Sequence, residues 1–220
     1  MTQLIYIADP MCSWCYGFGP ELNALLDVLP DVRLDIVLGG LRAGNTEVLD
    51  AARKATILTH WKHVEQASGL PFARSGMERP GFIYDTEPAC RAVVAARLLG
   101  KDLDLPWWTT LDVFHAIQHA FYAEGRDVTD LQVLAQIGAT ALTDACGLAG
   151  QPIDGASFLG RLSADSTIAQ TRRDFSQVQS WGIQGFPALL IEHHAALHLI
   201  SSGYAKTAVL LERVGVITQV

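Results

Sequence analysis

Asp9-Pro10-Met11-Cys12-Ser13-Trp14-Cys15-Tyr16-Gly17 is the stretch around which the chain organises itself. Just before it, Leu4-Ile5-Tyr6-Ile7-Ala8 is short, β-rich and closed by Asp9-Pro10, as a buried strand would be. Just after it, Leu22, Leu25, Leu26 and Leu29 recur at helical spacing up to Pro30, which predicts a helix over about residues 12–29. Pro20 falls inside that span and should kink the helix or mark its true start. The two cysteines therefore lie where a strand gives way to a helix. A helix N-terminus offers unpaired N–H groups and the positive end of the macrodipole, and both favour an anion. C-x-x-C sites of this kind lower a cysteine pKa from ~8.5 to somewhere in ~3.5–7.5. Cys12, at the helix tip, is the expected attacking thiolate. Cys15, one turn inward on the same face, is the expected resolving thiol.

Working outward, residues 33–38 alternate in part and end in Gly39-Gly40, which fits a second strand, parallel to the first through a right-handed crossover. From about residue 45 to 165 only helical patterns occur, with candidates at 46–67, 87–99, 107–124, 130–146 and 156–164. A helix over about 166–181 follows. Residues 188–192 and 197–201 then read as two strands joined by a short connection, and a closing helix covers 206–214. The order β-α-β, helical block, α-β-β-α predicts an α/β thioredoxin-like fold: a mixed four-stranded sheet from residues 1–42 and 165–220, with an all-helical insertion domain over 43–164.

The 220 residues are 50% apolar and 18% charged, an ordinary globular balance. A formal net charge of −7, with no basic cluster longer than a dipeptide such as Arg172-Arg173, argues against nucleic acid and anionic membrane as partners. No run approaches a transmembrane span, and residues 1–9 lack the basic start of a secretory signal, so a cytoplasmic location is expected. In that compartment four cysteines are no disulfide framework, and a C-x-x-C pair means redox chemistry or metal. Zinc needs two further ligands. Cys90 and Cys146 have no Cys or His within four residues and sit among Ala, Val and Leu, as buried free thiols do, so no metal is expected. His115 and His119 flank the core stripe Trp107, Leu111, Phe114, Ile117 and Phe121 of one predicted helix and read as polar flank residues. Asp9 and Glu21 are candidate proton handlers for Cys15, since a resolving thiol must lose a proton before it attacks. Trp14 either packs beneath the insertion or walls a substrate groove.

A second motif, Trp181-Gly182-Ile183-Gln184-Gly185-Phe186-Pro187, runs straight into the third strand, whose first position tolerates a proline. Strand–C-x-x-C–helix at the start and G-I-x-G-F-P before a late strand resemble the thioredoxin superfamily, and the long helical insertion resembles its DsbA-like group. Asp9-Pro10-Met11-Cys12-x-Trp14-Cys15-x-Gly17-Phe18 is similar to cytosolic, FrnE-type disulfide isomerases. Ala120-Phe121-Tyr122-x-Glu124-Gly125-Arg126-Asp127 resembles a segment of 2-hydroxychromene-2-carboxylate isomerases and kappa-class glutathione transferases. The resemblance implies a thiol–disulfide oxidoreductase or isomerase acting on protein or small thiols. It implies Cys12 and Cys15 as the catalytic pair and Pro187 as a cis-proline facing them; a cis bond there would turn the Phe186 backbone outward as a docking edge, so Trp14, Phe186 and Pro187 are the candidate substrate-binding residues. No cofactor is implied, glutathione being a candidate co-substrate. Ser13-Trp14 between the cysteines matches neither the Pro-His of oxidising nor the Gly-Pro of reducing relatives, so redox direction stays open; a reducing cytosol favours reduction or isomerisation. Two other readings remain at this stage. One is a glutathione-dependent transferase or isomerase of the kappa or chromene-carboxylate type, whose relatives carry serine where this chain has Cys12. The other is a metal-binding or chaperone-like module using the C-x-x-C pair.

Overall fold

The computed structural model describes residues 3–145, 147 and 152–218. Four strands form one sheet: β1 (Gln3–Ala8), β2 (Arg33–Leu38), β3 (Ala188–His193) and β4 (Ala196–Ser202), in the order β2-β1-β3-β4. β1 pairs in parallel with β2, from Gln3↔Arg33 to Ala8↔Leu38, and antiparallel with β3, from Gln3↔Glu192 to Ile7↔Ala188. Its central place explains its unbroken apolar run, because both faces are covered. Leu4, Tyr6 and Ala8 join the main core, whereas Ile5 and Ile7 join a smaller cluster with Val178, Ala188 and Leu190 on the opposite face. β2, at the sheet edge, alternates between buried and more exposed positions instead.

The helices are α1 (Ser13–Val28), α2 (Ala51–Ser68), α3 (Glu87–Asp102), α4 (Trp108–Tyr122), α5 (Leu131–Ala145), α6 (Gly155–Ser163), α7 (Asp165–Ser180) and α8 (Thr207–Thr218). α1 starts at Ser13, directly after Cys12, and Pro20 lies within it rather than at its head. α2 starts five residues later than its apolar pattern suggests. Asp50 is its N-cap and accepts the Arg53 N–H at 2.7 Å. The residues before it go elsewhere: Val48 bridges Ile83, and the Leu49 N–H donates to the Phe82 carbonyl (2.9 Å). Among the described residues that bridge is the only β-pairing between β2 and β3, and a 3₁₀ turn at Arg74–Met77 is the one helical element with no sequence forecast. The β3–β4 hairpin turns through His194 and Ala195, both at positive φ (50° and 61°), a conformation usually left to Asn or Gly. Cys146 lies outside the described residues.

The main core runs unbroken from the sheet through α1 into α3 and α4: Tyr6 meets Phe18 at 5.8 Å and Phe114 at 5.7 Å between ring centres. A polar tie reinforces it near the end of β2. Asp174 of α7 accepts the Leu38 N–H (3.2 Å) and a guanidinium N–H of Arg97 in α3 (2.8 Å), and Arg97 also donates to the Ile36 carbonyl (2.7 Å). The sheet end from which Cys12 projects is thus braced from two helices.

Candidate active site

Cys12 is the residue on which α1 begins. Its backbone is still extended (φ −89°, ψ 117°), and its carbonyl accepts the first helical bond, from the Tyr16 N–H at 3.1 Å. The amides of Ser13, Trp14 and Cys15 therefore lie at the helix tip ahead of the i→i−4 ladder, where an anionic sulfur gains most from them. Cys12 and Cys15 are both free and both buried, with 6% and 0% of their surface exposed. Burial, and then the neighbouring Cys12, push the Cys15 thiol well above the ordinary range. The helix start thus places unpaired amides after one sulfur, and burial keeps the other a protonated thiol.

The second motif lies where the family resemblance implies. The Phe186–Pro187 peptide is cis, and the Cys12 Sγ lies 3.6 Å from the Phe186 carbonyl oxygen, as a donor would. Two contacts seat this loop. The far end of the Phe186 ring lies against Gly39, where a Cβ would come within 2.0 Å of its Cζ, so only glycine fits there. The Pro187 carbonyl accepts the Gly203 N–H (2.7 Å), joining the loop to the end of β4. Trp14 is half-buried and packs on Tyr204 (5.5 Å between ring centres), which answers the packing question with a residue of the β4–α8 connection.

Of the two proposed proton handlers, one is at the site and one is not. Asp9 is fully buried: Oδ1 accepts the Met11 N–H (2.8 Å), and Oδ2 accepts the Leu41 N–H (2.6 Å) and the Cys90 thiol (3.5 Å). Burial raises its pKa, against the opposing pull of hydrogen bonds from Thr86, Met11, Leu41 and Cys90. Its charge also acts on Cys15. Glu21 instead binds Lys206 (2.8 Å) and the N–H and hydroxyl of Thr207 (2.8 and 2.7 Å), pinning the start of α8 to α1. Although partial burial opposes it, these bonds bring its carboxyl down to about 2.

Several neighbours of the cysteines carry no signal in the sequence. The Tyr84 hydroxyl donates to the Met11 carbonyl at 2.5 Å. The Tyr6 hydroxyl donates to the Cys15 carbonyl (3.3 Å). Thr86 accepts the Arg42 N–H (3.1 Å), and the Arg42 guanidinium sits 5.2 Å over the Tyr84 ring. Tyr16, in the first turn of α1, stacks on Tyr122 of α4 at 4.9 Å. Cys90, read as an inert core thiol, is buried and in addition touches Asp9. His115 is not a polar flank residue: its Nε2 is inside, 3.7 Å from where a Gly19 Cβ would stand, and desolvation lowers its pKa to about 4. His119 is exposed and pairs with Glu124 at 3.2 Å.

No family model and no curated protein sequence matches the chain. Solved structures do. A candidate protein disulfide isomerase from Nitrosomonas europaea is 34% identical over 99% of this chain and 98% of its own, with a TM-score of 0.84. The cytosolic disulfide reductase DsbM from Pseudomonas aeruginosa is 24% identical over 99% and 98%, with a TM-score of 0.75, and has also been solved with GSH. A 2-hydroxychromene-2-carboxylate isomerase shares the fold alone, at 11% identity and a TM-score of 0.62 over 99% and 95%.

Proposed function

The chain belongs to the DsbA-like thiol–disulfide oxidoreductases of the thioredoxin superfamily, and from that premise we propose that Cys12 and Cys15 are its redox pair. The observation that carries this assignment is the Cys12 sulfur at the tip of α1, 3.6 Å from the Phe186 carbonyl. In exchange with a substrate disulfide, the Cys12 thiolate attacks one substrate sulfur; the substrate S–S bond breaks and the other sulfur leaves as a thiolate. Cys15 then gives up its proton and attacks the Cys12 sulfur. The mixed disulfide breaks, the second substrate thiol is released, and the Cys12–Cys15 disulfide remains. Two electrons have passed to the substrate, and the reverse sequence oxidises a dithiol.

The Phe186 backbone and the Pro187 ring form the docking edge for the substrate, and Trp14, held by Tyr204, forms a wall beside the attacking sulfur. Reduction or isomerisation is the favoured direction, in the cytoplasm. Among the described residues no helix is long and apolar enough to cross a membrane, and the Pseudomonas relative is described as cytosolic. Glutathione is the favoured small-thiol co-substrate. That relative has been solved with it, and the exposed Arg42 guanidinium supplies positive charge near the site for a carboxylate-bearing thiol. The two other readings, a glutathione-dependent transferase or isomerase and a metal-binding or chaperone-like module, are less supported than exchange. The deciding experiment is insulin reduction driven by glutathione, run beside an assay of disulfide isomerisation. Catalysis of either supports the reading, and catalysis of neither overturns it.

A further inference from the structure

The peptide that joins Met11 to Cys12 is held at both ends. Its N–H donates to the Asp9 carbonyl at 3.0 Å, and its C=O accepts the Tyr84 hydroxyl at 2.5 Å. The Asp9 contact is local. Tyr84 reaches in from 73 positions down the chain, out of the helical segment between β2 and β3. It is 3% exposed, and its ring packs on Phe82 and Phe121, each 5.8 Å away between centres, so the hydroxyl cannot leave without opening an aromatic cluster. Behind it lies the Tyr122 hydroxyl, buried and without a well-formed hydrogen bond of its own, which interacts with the Tyr84 hydroxyl. Both phenols stand within electrostatic reach of Cys12.

We propose that Tyr84 is a positioning residue for thiol–disulfide exchange, fixing the Met11 carbonyl on a phenol donor so that it does not turn its negative end toward the Cys12 thiolate, with Tyr122 supporting it from behind. The inference rests on the exchange reading above. A carbonyl released beside an anionic sulfur destabilises it, and the reduced dithiol bears that cost because the disulfide carries no charge. Loss of the hydroxyl should therefore favour oxidation of the pair.

The test is the equilibrium in which the dithiol and oxidised glutathione give the enzyme disulfide and two molecules of reduced glutathione, a balanced two-electron transfer. Tyr84→Phe keeps the ring and removes only the donor. Its equilibrium constant should rise about 2- to 10-fold, the worth of one hydrogen bond, and alkylation of Cys12 by iodoacetamide at pH 6 should slow by a similar factor. Tyr122→Phe should move both quantities the same way by less. A purely structural role would lower the melting temperature and leave the equilibrium constant alone, and an unchanged or lowered constant in folded Tyr84→Phe overturns the proposal. Should Tyr84→Phe fail to fold, Tyr122→Phe decides by the same criterion. A wild-type protein that exchanges with no disulfide overturns the exchange reading itself, whereas wild-type exchange with unshifted variants overturns only the role of Tyr84.

Discussion

Residues 9–12 and residues 184–187 face each other across the Cys12 sulfur, and they are built in opposite ways. The first loop is buried at every position, with its polar groups tied to Asp9 and Tyr84. The second keeps Gln184 and Gly185 exposed and is seated by one ring against Gly39 and one bond from Gly203. On the proposed reading, the sulfur chemistry sits on the side whose geometry is over-determined, and the loop that would receive a partner keeps accessible backbone. A rigid nucleophile lowers the cost of orientation, and an open rim lets partners of different shape reach it.

The contrast breaks first if the cysteines exchange roles. Cys12→Ser should reduce insulin reduction to the uncatalysed background. Cys15→Ser should still attack but fail to resolve, and so accumulate mixed disulfides that mass spectrometry detects and dithiothreitol releases. Trapping by Cys12→Ser instead would place the nucleophile on the buried side. Asp9→Ala comes next. It strips the buried Met11 amide and the partly buried Leu41 amide of their acceptor, and at ~1–3 kcal/mol for each orphaned group the chain should lose roughly 2–4 kcal/mol in urea unfolding. A loss within error would mean the first loop is not held as described.

Gly39→Ala probes the other loop. The new methyl would displace the Phe186 ring, an overpacking worth ~1–3 kcal/mol. KM for a protein disulfide should rise while the alkylation rate of Cys12 holds. Equal changes in both would erase the distinction between the loops. The smallest effect is a difference in sign. Glu21 is depressed from 4.5 to about 2, so the stability it contributes is present above pH 4.5 and lost as pH falls toward 2. Asp9 is raised above 3.8, so its contribution is full below that pH and lost as pH rises through its folded value. Melting curves between pH 2 and 7 should show Glu21→Gln flattening the acid-side loss and Asp9→Asn steepening it.

What the sequence disclosed follows from how local each feature is. β1, the C-x-x-C helix, β2 and the late hairpin are short runs bounded by Pro and Gly, legible without knowing what packs on them. The facing of Phe186–Pro187 on Cys12 was legible only through family resemblance, because nothing near residue 187 points to residue 12. Tyr84, Thr86 and Cys90 were not legible as site residues. Each acts through one side-chain contact to a backbone or carboxylate far along the chain, and such contacts leave no periodicity. The start of α2 is not legible for a related reason: the bridge from Val48 to Ile83 competes with helix for the residues before it. The burial of His115 is not legible either, because a helix pattern shows which face is polar but not that α1 approaches it at Gly19.

The separation of 174 residues between Cys12 and the Phe186 carbonyl has a consequence in time. A ribosome adding ~5–20 residues per second makes Cys12 and then needs roughly 9–35 s to reach its counterpart. β2 is available to β1 early in that interval, but β3, which completes the other side of β1, comes only at its end. Through that interval the nascent chain carries both thiols with no Phe186 carbonyl beside them, and a chain stalled before residue 186 holds the cysteines without that neighbour. On the proposed reading the order of synthesis is fixed: the thiol pair is made first, and the backbone edge that would receive its partners follows 174 residues later.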